Sequence, residues 1–420
     1  MSNQNEIIKV KTKRSKSKTH KKSSNFIFWI VRGILRPVLK RKYNCRISKS
    51  HYKSLKRPCL IMCNHQAGFD QFSTGIIANF GINFVASDTI FRHGFKSWIM
   101  KKLANPIPIT KGMADITAVK KMMQVTKNGG AVGIFPEGNR CFFGQTMTVQ
   151  PIGRLAKMLN VPLVLVRMEG GYLTKPRWKI LPNKGRVDVY VGRVVGVEEL
   201  EKLSGDEVQA LIERELFVDD FEINKQKKIK FLGKARAEHL ESVLFYCPFC
   251  GCTDGLKSKV HDFFCTKCDF LTKIDEYGFF ENGGEQRQGA SVSQVPKTIL
   301  EWSKIQLEYI KGFDFSSLDD KPFFVDDNIK MSIAVKAKKQ YDQKSGSLAL
   351  YKDRITACGQ DFYYDQIVAI SVQEVRKLTI YTTDKAFVID APLKTNLFKY
   401  KISAYKIMDY EKDGKKYFGY

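Results

Sequence analysis

The sequence predicts an α/β protein with a mostly parallel central sheet flanked by helices, followed by a small cysteine-rich module and a C-terminal β-rich domain. Strand and helix patterns alternate along residues 58–217, which is typical of a parallel sheet with crossover helices. Two Cys-x-x-Cys pairs follow at residues 247–268, and short strand patterns dominate residues 322–390. A length of 420 residues suits two to three domains.

The composition is that of a folded protein with an unusual charge. Hydrophobic residues make up 43% and charged residues 27% of the chain, which excludes wholesale disorder. The formal net charge of +27 predicts an anionic partner such as nucleic acid, anionic lipid or a phosphorylated substrate. Residues 1–57 contain 18 of the 70 Lys and Arg residues and one of the 43 acidic residues. The basic character therefore belongs mainly to the N-terminal end.

The N-terminal end divides into an arm and a helix. Residues 1–24 are rich in Lys, Ser and Thr and predict a disordered basic arm. Residues 26–40 predict an amphipathic helix, with Arg32, Arg36 and Lys40 on its cationic face. Such a helix either lies in a membrane interface or packs on the protein's own core, and the dense basic flank favours the interfacial alternative. Its apolar face carries Ile27, Ile30, Val31, Ile34, Leu35 and Val38.

The sequence also predicts where the protein resides. The best apolar run, residues 26–31, ends at Arg32 and falls short of the roughly 20 residues that cross a bilayer. The start of the chain does not have the features of a secretory signal. We therefore expect a peripheral protein on the cytoplasmic side of an anionic membrane surface. In that compartment the 10 Cys residues are expected to be thiols or metal ligands rather than disulfides. The sequence leaves the oligomeric state open.

The predicted elements divide the rest of the chain into five segments. Residues 25–220 are the α/β domain, 221–245 a helical linker, 246–285 the cysteine module, 286–320 a second linker and 321–420 the β-rich domain. Strands of the α/β domain are expected near residues 59–63, 83–86, 131–135, 161–167 and 186–195. Its helices are expected near residues 71–79, 94–103, 115–127, 151–159 and 204–216.

The clearest chemistry lies in Asn64-His65-Gln66-Ala67-Gly68-Phe69-Asp70, directly after a predicted strand. Strand ends are where α/β sheets place reactive groups. A turn of this length can fold the Asp70 carboxylate onto one nitrogen of the His65 ring, which leaves the other nitrogen free to take a proton from a hydroxyl. Ser73 and Cys63 are nearby candidate nucleophiles, but neither has a nucleophile-elbow context. We therefore favour direct attack by a substrate hydroxyl.

Two further segments place polar groups at predicted strand ends. In Phe135-Pro136-Glu137-Gly138-Asn139-Arg140, Gly138 allows the backbone to approach a ligand closely and Arg140 offers a fork that suits a phosphate. Residues 109–112 end another strand with the cation Lys111, and residues 161–166 are a buried strand. Each segment on its own has an alternative interpretation, as a strand end whose charged side chains are exposed to solvent and have no function in binding.

In this order and spacing, these segments resemble the glycerolipid acyltransferase family, which includes the lysophosphatidic acid (1-acylglycerol-3-phosphate) acyltransferases. The resemblance covers residues 25–220. Lys111 stands where the family has a phosphate-binding Arg, so the charge is kept but the two-pronged contact is lost. Ala67, Asn139 and Cys141 also depart from the family pattern. The matching positions are Asn64, His65, Asp70, Phe135, Pro136, Glu137, Gly138 and Arg140.

The resemblance implies an O-acyltransferase of phospholipid biosynthesis. A fatty acyl group would move from acyl-CoA or an acyl carrier protein thioester to the free hydroxyl of a lysophospholipid. The expected acceptor is 1-acyl-glycerol-3-phosphate, which gives phosphatidic acid; another lysophospholipid or glycerol 3-phosphate is the alternative. His65 would be the general base and Asp70 its orienting carboxylate. The implied substrate-binding residues are Asn64, Lys111, Glu137, Gly138 and Arg140.

The two cysteine pairs resemble a zinc ribbon. Cys247-Pro-Phe-Cys250 and Cys265-Thr-Lys-Cys268 supply four thiolates at a separation typical of a tetrahedral Zn²⁺ site. Four protein ligands close the coordination sphere, so the Zn²⁺ is expected to be structural. Cys252 and His261 are spare candidates that are better interpreted as loop residues.

The C-terminal strands, with a helix near residues 393–408, resemble the pleckstrin-homology-like fold, a partly open barrel closed by one helix. A different interpretation of the chain is a non-enzymatic, nucleic-acid-binding adaptor, suggested by the zinc ribbon and the basic arm. A binding module does not need the His65 and Phe135 segments, and residues 246–285 carry no strong excess of Lys and Arg. We therefore expect a lysophospholipid and an acyl thioester as partners, and no nucleic acid.

Overall fold

The computed structural model describes residues 23–49, 53–87, 105–109, 115–146, 151–285, 293–334, 341–373 and 375–409. Most of the predicted basic arm, the predicted helix at 94–103 and the predicted site residue Lys111 lie outside these ranges.

The first sheet has seven strands in the order β1-β7-β6-β2-β5-β3-β4. All neighbouring pairs are parallel except β6 and β7, so the predicted mostly parallel sheet is confirmed. β2 lies at the centre, where Ile61 pairs with Gly133 on one side and Val164 on the other. The strands are β1 (Cys45–Ile47), β2 (Cys59–Cys63), β3 (Ile82–Ser87), β4 (Ile107–Ile109), β5 (Ala131–Ile134), β6 (Leu163–Glu169) and β7 (Val187–Val195).

Helices cover both faces of this sheet because the side chains of β2 are buried on both sides. Cys59, Ile61 and Cys63 face the core beneath α1 and α2, whereas Leu60 and Met62 face the core beneath α3, α4 and α7. The helices are α1 (Asn25–Tyr43), α2 (Asp70–Gly75), α3 (Ile116–Lys127), α4 (Gly153–Leu159), α5 (Gly171–Thr174), α6 (Val197–Lys202), α7 (Gly205–Leu216) and α8 (Asp220–Lys227).

The helix α1 has one packed and one exposed face. On the packed face, Tyr43 stacks on Phe69 with ring centroids 4.0 Å apart, and Leu39 is buried. Arg32, assigned to the cationic face from the sequence, is instead buried, because its Nη1 donates a hydrogen bond to the Ala78 carbonyl at 2.6 Å. The exposed face carries Phe26, Trp29, Ile30, Ile34 and Val38, with exposed fractions of 46–75%.

Within the described residues, no helix combines the length and apolar character needed to cross a membrane.

Two predicted linkers differ from the structure. Residues 221–245, expected to be helical, are helical in Asp220–Lys227 and in the 3₁₀ turn Leu240–Ser242, and the intervening chain packs irregularly. Phe231 and Leu244 are buried there, so apolar burial rather than helix propensity decides the conformation. The second linker, 286–320, contains a helix, α9 (Ile299–Gly312), whose apolar residues recur at helical spacing and whose N-cap is Thr298.

α9 closes the cysteine module. Three antiparallel strands form this module's sheet: β8 (Leu256–Lys259), β9 (Asp262–Cys265) and β10 (Leu271–Lys273). Trp302 of α9 is fully buried against the rings of Phe263, Phe270 and Phe280, with ring centroids 5.2–5.5 Å apart. Its Nε1 donates a hydrogen bond to the Tyr246 carbonyl at 2.8 Å.

The C-terminal sheet is antiparallel, in the order β14-β13-β12-β11-β17-β16-β15. Tyr400 and Tyr405 of the following helix, α10 (Leu397–Ile407), donate hydrogen bonds to the carbonyls of Leu348 and Ile370. We call these strands and α10 the C-terminal barrel; its likeness to the pleckstrin-homology fold stays a prediction. The strands are β11 (Phe324–Ala334), β12 (Tyr341–Leu350), β13 (Arg354–Ala357), β14 (Gln360–Tyr363), β15 (Ala369–Gln373), β16 (Lys377–Tyr381) and β17 (Ala386–Asp390).

A third hydrophobic core joins the cysteine module and the C-terminal barrel to the chain that follows β5. It runs from Phe142 and Phe143, beyond β5, through Trp302 in the cysteine module to Phe398 in the C-terminal barrel. The rings of Phe142 and Phe398 are 4.7 Å apart. The cysteine module and the barrel therefore pack directly on the chain that follows β5.

Replacing Trp302 by Ala is expected to lower the free energy of unfolding by about 3–5 kcal/mol, because it removes a fully buried indole and its hydrogen bond. Chemical denaturation followed by circular dichroism measures the change. Trp29→Ala is the matched control, because Trp29 is 50% exposed and its loss should cost less than about 1 kcal/mol. Equal effects of the two substitutions would contradict the packing role of α9.

Candidate active site and candidate metal centre

His65 lies at the carboxyl end of the central strand β2, on the loop that leads into α2. Its Nδ1 is 2.7 Å from Asp70 Oδ2, and 19% of its side chain is exposed. The ring stacks on Phe135, with the centroids 4.5 Å apart. The structure thus brings the predicted base and its orienting carboxylate together.

Asp70 is fully buried and begins α2. Its Oδ2 accepts hydrogen bonds from the backbone N–H groups of Gln66 at 2.6 Å and Ala67 at 2.8 Å. A carboxylate oxygen accepts hydrogen bonds, so the His65 nitrogen beside it has to donate one. We therefore infer that Nδ1 of His65 carries the proton. Nε2 of His65 is then the basic nitrogen.

The alternative nucleophiles are both occluded. Cys63 is buried, and burial raises the pKa of its thiol well above the usual range, which disfavours the reactive thiolate. Ser73 is also buried, and its Oγ donates a hydrogen bond to the Asp70 carbonyl at 3.0 Å. The geometry therefore favours His65 acting on a hydroxyl from outside the chain.

Two predicted substrate-binding residues, Asn64 and Glu137, make hydrogen bonds within the fold. Asn64 is fully buried, where its Nδ2 donates to the Met168 carbonyl at 2.9 Å and its Oδ1 accepts from the Met168 N–H at 2.8 Å. Glu137 is buried, and its Oε1 accepts from the His65 N–H at 2.6 Å. Asn64 therefore ties β2 to β6, and Glu137 holds the backbone of His65. The role of both residues in substrate binding stays a prediction.

Arg140 and Gly138 remain at the open side of the site. Arg140 Nη1 lies so close to Gly68 that a Cβ at that glycine would be 3.2 Å from it. The guanidinium therefore borders the loop between His65 and Asp70, and within the described residues it makes no ion pair. Gly138 has φ +69°, a left-handed conformation that glycine adopts without strain. Lys111 lies outside the described residues.

A second buried carboxylate lies behind the His65 loop, and the sequence did not reveal it. Asp220 accepts hydrogen bonds from the N–H groups of Gly170 at 2.7 Å and Tyr172 at 2.9 Å. Burial raises the pKa of Asp220 to about 7, against backbone hydrogen bonds that lower it. Gln66 accepts from the Gly171 N–H at 3.1 Å. These partners are far apart in sequence, so local patterns give no signal.

Comparison with known proteins agrees with this geometry. Residues 44–169, which contain His65, Asp70 and the Glu137 segment, match the Acyltransferase family model. The chain carries an acyltransferase-family domain. The resemblance inferred from the sequence is thereby confirmed, and we call this part the acyltransferase domain.

Two relatives are similar over about a third of the chain. The chain is 27% identical over 154 residues to the 1-acyl-sn-glycerol-3-phosphate acyltransferase of Saccharomyces cerevisiae, covering 35% of this chain and 50% of that protein. It is 26% identical over 138 residues to the enzyme of the same name from Bacillus subtilis, covering 32% and 64%. The chain thus spans between half and two thirds of the length of these relatives.

A solved structure is also similar. The 1-acyl-sn-glycerophosphate (LPA) acyltransferase PlsC from Thermotoga maritima superposes with a TM-score of 0.40 and 19% sequence identity, covering 48% of this chain and 80% of that chain.

Beyond the acyltransferase domain, the structure gathers cysteine thiols in the cysteine module. The Sγ atoms of Cys247, Cys250, Cys252 and Cys265 all lie within 4.8 Å of one another. Cys268 Sγ is 3.9 Å from Cys247 Sγ. Cys252, interpreted from the sequence as a loop residue, is therefore part of the cluster, because its Sγ is 3.4 Å from Cys250 and 3.5 Å from Cys265.

These spacings fit a tetrahedral metal. With Zn–S bonds of about 2.3 Å, the edge of a ZnS₄ tetrahedron is about 3.8 Å, close to the observed separations of 3.4–3.9 Å. Burial raises the pKa of Cys250, but hydrogen bonds with Cys252 and the other thiols outweigh it and lower the pKa to about 7. A thiol in that range readily supplies a thiolate ligand.

Asp220 is expected to make the fold less stable as the pH rises. Because its folded-state pKa, about 7, lies above the usual 3.8, its favourable contribution is fully present below about pH 4 and is lost as the pH rises through 7. Asp220→Asn removes this titration. The free energy of unfolding of the variant, relative to the original protein, should rise by on the order of 4 kcal/mol between pH 4 and pH 8. Denaturant titrations across this range measure it, and a flat difference would contradict the raised pKa.

Proposed function

We propose that the chain is an O-acyltransferase that transfers a fatty acyl group from a thioester, acyl-CoA or acyl carrier protein, to the hydroxyl of 1-acyl-glycerol-3-phosphate. The observation that carries the proposal is the His65–Asp70 contact of 2.7 Å, at a strand end within the acyltransferase domain. Both relatives named above are 1-acyl-sn-glycerol-3-phosphate acyltransferases, which supports this acceptor over other lysophospholipids.

The reaction follows from the groups on the loop. The acceptor hydroxyl gives its proton to Nε2 of His65 as its oxygen attacks the thioester carbonyl. Asp70, held by backbone N–H groups, stabilises the imidazolium that forms. The C–O bond forms and the C–S bond breaks, and the imidazolium returns the proton to the leaving thiolate. Buried Cys63 and Ser73 take no part.

The acceptor phosphate is proposed to bind two cations, Arg140 and Lys111. Arg140 borders Gly68, three residues from the base, and offers donors in a fork that matches phosphate oxygens. Lys111, which resembles the family's phosphate-binding position, is the second proposed cation. Gly138 lets the backbone approach the same ligand. Glu137 acts through the backbone of His65, because a carboxylate repels a phosphate.

The exposed face of α1 supports peripheral binding at the cytoplasmic side of an anionic membrane. Phe26, Trp29, Ile30 and Ile34 project from the first half of the helix, and Lys40, Arg41 and Lys42 occupy its last turn. Apolar side chains beside cations are the composition of interfacial helices. Near the end of α1, Asn44 Nδ2 donates to the Gly185 carbonyl at 2.7 Å. The exposed apolar residues Ile180 and Leu181 precede Gly185 in the sequence.

The cysteine cluster is proposed to hold one Zn²⁺, which would cross-link the module and supply folding free energy rather than catalysis. Cys247, Cys250 and Cys265 belong both to the set predicted from sequence spacing and to the mutually close set in the structure. Cys252 and Cys268 compete for the fourth position. A closed sphere of four thiolates leaves no position for a substrate.

His65→Ala is expected to lower kcat by about 10²–10⁴-fold, because the base is removed, and Asp70→Asn should also be severely impaired because the ring loses its orientation. Acyl transfer is measured with both thioester donors and with 1-acyl-glycerol-3-phosphate, other lysophospholipids and glycerol 3-phosphate as acceptors. Ser73→Ala and His261→Gln are matched controls that should keep near-normal turnover. Near-normal turnover of His65→Ala would refute the mechanism, and equal rates with all acceptors would refute the proposed acceptor.

The purified protein is expected to contain about one Zn²⁺ per chain. Changing Cys250 or Cys265 to Ser should release the metal and unfold the cysteine module, since such sites supply on the order of 10 kcal/mol of folding free energy. Elemental analysis and Co²⁺-thiolate absorption measure the metal and the number of thiolate ligands, with Cys358→Ser as the matched control. If Cys268→Ser loses the metal and Cys252→Ser keeps it, the ligand set predicted from the sequence spacing is favoured. If Cys252→Ser loses the metal and Cys268→Ser keeps it, the mutually close set that includes Cys252 is favoured. A metal-free, folded module would exclude the site.

The double variant Ile30→Asp/Ile34→Asp is expected to bind vesicles of mixed zwitterionic and anionic lipid at least about 10-fold more weakly, because it puts charge on the apolar face of α1. Flotation or sedimentation with vesicles at low salt measures binding. Ile116→Asp is the matched control, because Ile116 is 69% exposed on α3. Binding of the original protein should weaken as salt rises. No binding of the original protein to anionic vesicles at low salt would contradict the interfacial role of α1.

A further inference from the structure

We propose that the C-terminal barrel is part of the support of the active site, and that Arg177 is the positioning residue through which the barrel holds the His65 loop. The family model ends at residue 169, well before the barrel begins. This inference rests on the proposed function, since it deepens the account of the same site.

One peptide group links the barrel to the base. The carbonyl of Arg140 accepts a hydrogen bond from Arg177 Nη1 at 2.9 Å. The N–H of Cys141, in the same peptide group, donates to the His65 carbonyl at 2.8 Å. Arg177 therefore acts on the peptide group that lies directly against the backbone of the catalytic histidine.

The other side of the same guanidinium reaches the barrel. Arg177 Nη2 donates to the carbonyl of Val372 in β15 at 2.9 Å, across 195 residues of sequence. The guanidinium also lies 3.7 Å from the centre of the Phe142 ring, and the residue is 7% exposed. A planar group with donors on two edges can join two carbonyls in this way, whereas the compact ammonium of lysine does not span them.

Apolar packing also connects the segment after Arg140 to the barrel. Phe142 and Phe143 directly follow Cys141, and their rings lie 4.7 and 5.4 Å from the ring of Phe398 in α10. The segment that carries Arg140 is thus held between the His65 loop and the barrel by apolar contacts as well as hydrogen bonds. Displacing a base by about 1 Å can cost as much as 100-fold in rate, so this support bears on turnover.

The test compares Arg177→Ala and Arg177→Lys in the full chain with Arg376→Ala. The control removes an exposed barrel arginine that pairs with Asp390 at 3.3 Å. Steady-state kinetics give kcat and the KM of each substrate, and hydrogen exchange is followed in residues 63–70, 135–146 and 205–216. Arg177→Ala is expected to lower kcat by about 10- to 100-fold with little change in donor KM. Exchange should speed up in residues 63–70 and 135–146 but not in residues 205–216 of α7.

Two further readouts separate positioning from general stability. Added guanidinium ion should partly restore kcat in Arg177→Ala, because it fits the space that the side chain leaves. Arg177→Lys keeps the charge and one hydrogen bond, so its turnover should lie between those of the original protein and the Ala variant; it also serves if the Ala variant does not fold. Arg376→Ala should match the original protein in every measurement.

Unchanged turnover and exchange in Arg177→Ala would overturn the proposal. Faster exchange in all three regions, without rescue by guanidinium, would also overturn it, because Arg177 would then stabilise the fold in general. If the original protein transfers no acyl group to any acceptor, the proposed function fails, while the exchange pattern still decides whether Arg177 holds the His65 loop.

Discussion

The buried carboxylate of Asp70 is the constraint on which the loop from His65 to Asp70 depends. A charge without solvent must be satisfied by hydrogen bonds, and Asp70 obtains them from the backbone N–H groups of Gln66 and Ala67 and from the ring of His65. The tight turn after β2 directs the N–H groups of Gln66 and Ala67 towards the carboxylate. The orientation of the imidazole is therefore set by the way the loop satisfies the carboxylate, and the wall of Phe135 fixes the plane of the ring.

How much the sequence could predict depended on the distance between interacting residues. The β2 strand and the His65–Asp70 pair were predictable, because an apolar run and a spacing of five residues are local features. Asn64 and Glu137 were placed at strand ends from the sequence, but their contacts with Met168 and the His65 backbone were not predictable, because the fold brings these distant residues together. Arg177 binds Val372, which is 195 residues away, so no local pattern points to it.

The shared core changes the interpretation of the modules beyond the acyltransferase domain. The segment 286–320, predicted to be a linker, contains a helix that its Gly- and Gln-rich start did not indicate, and Trp302 of this helix fills the cysteine module. Phe142, Trp302 and Phe398 lie in one core, so the cysteine module and the C-terminal barrel pack on the chain that follows β5. The cysteine module and the barrel look like separate segments from their composition, but contacts between buried aromatic side chains join them.

The two faces of α1 carry a geometric consequence. Its packed face touches Ala78 through Arg32 and Phe69 through Tyr43, so the helix braces the chain on both sides of α2. A helix of 19 residues is about 28 Å long. In the proposed membrane-bound state, the exposed face of this rod fixes the height of the His65 ring above the bilayer plane. The helix would then set the distance between His65 and the bilayer. This distance would favour lipids whose free hydroxyl reaches the base while their acyl chain stays in the leaflet.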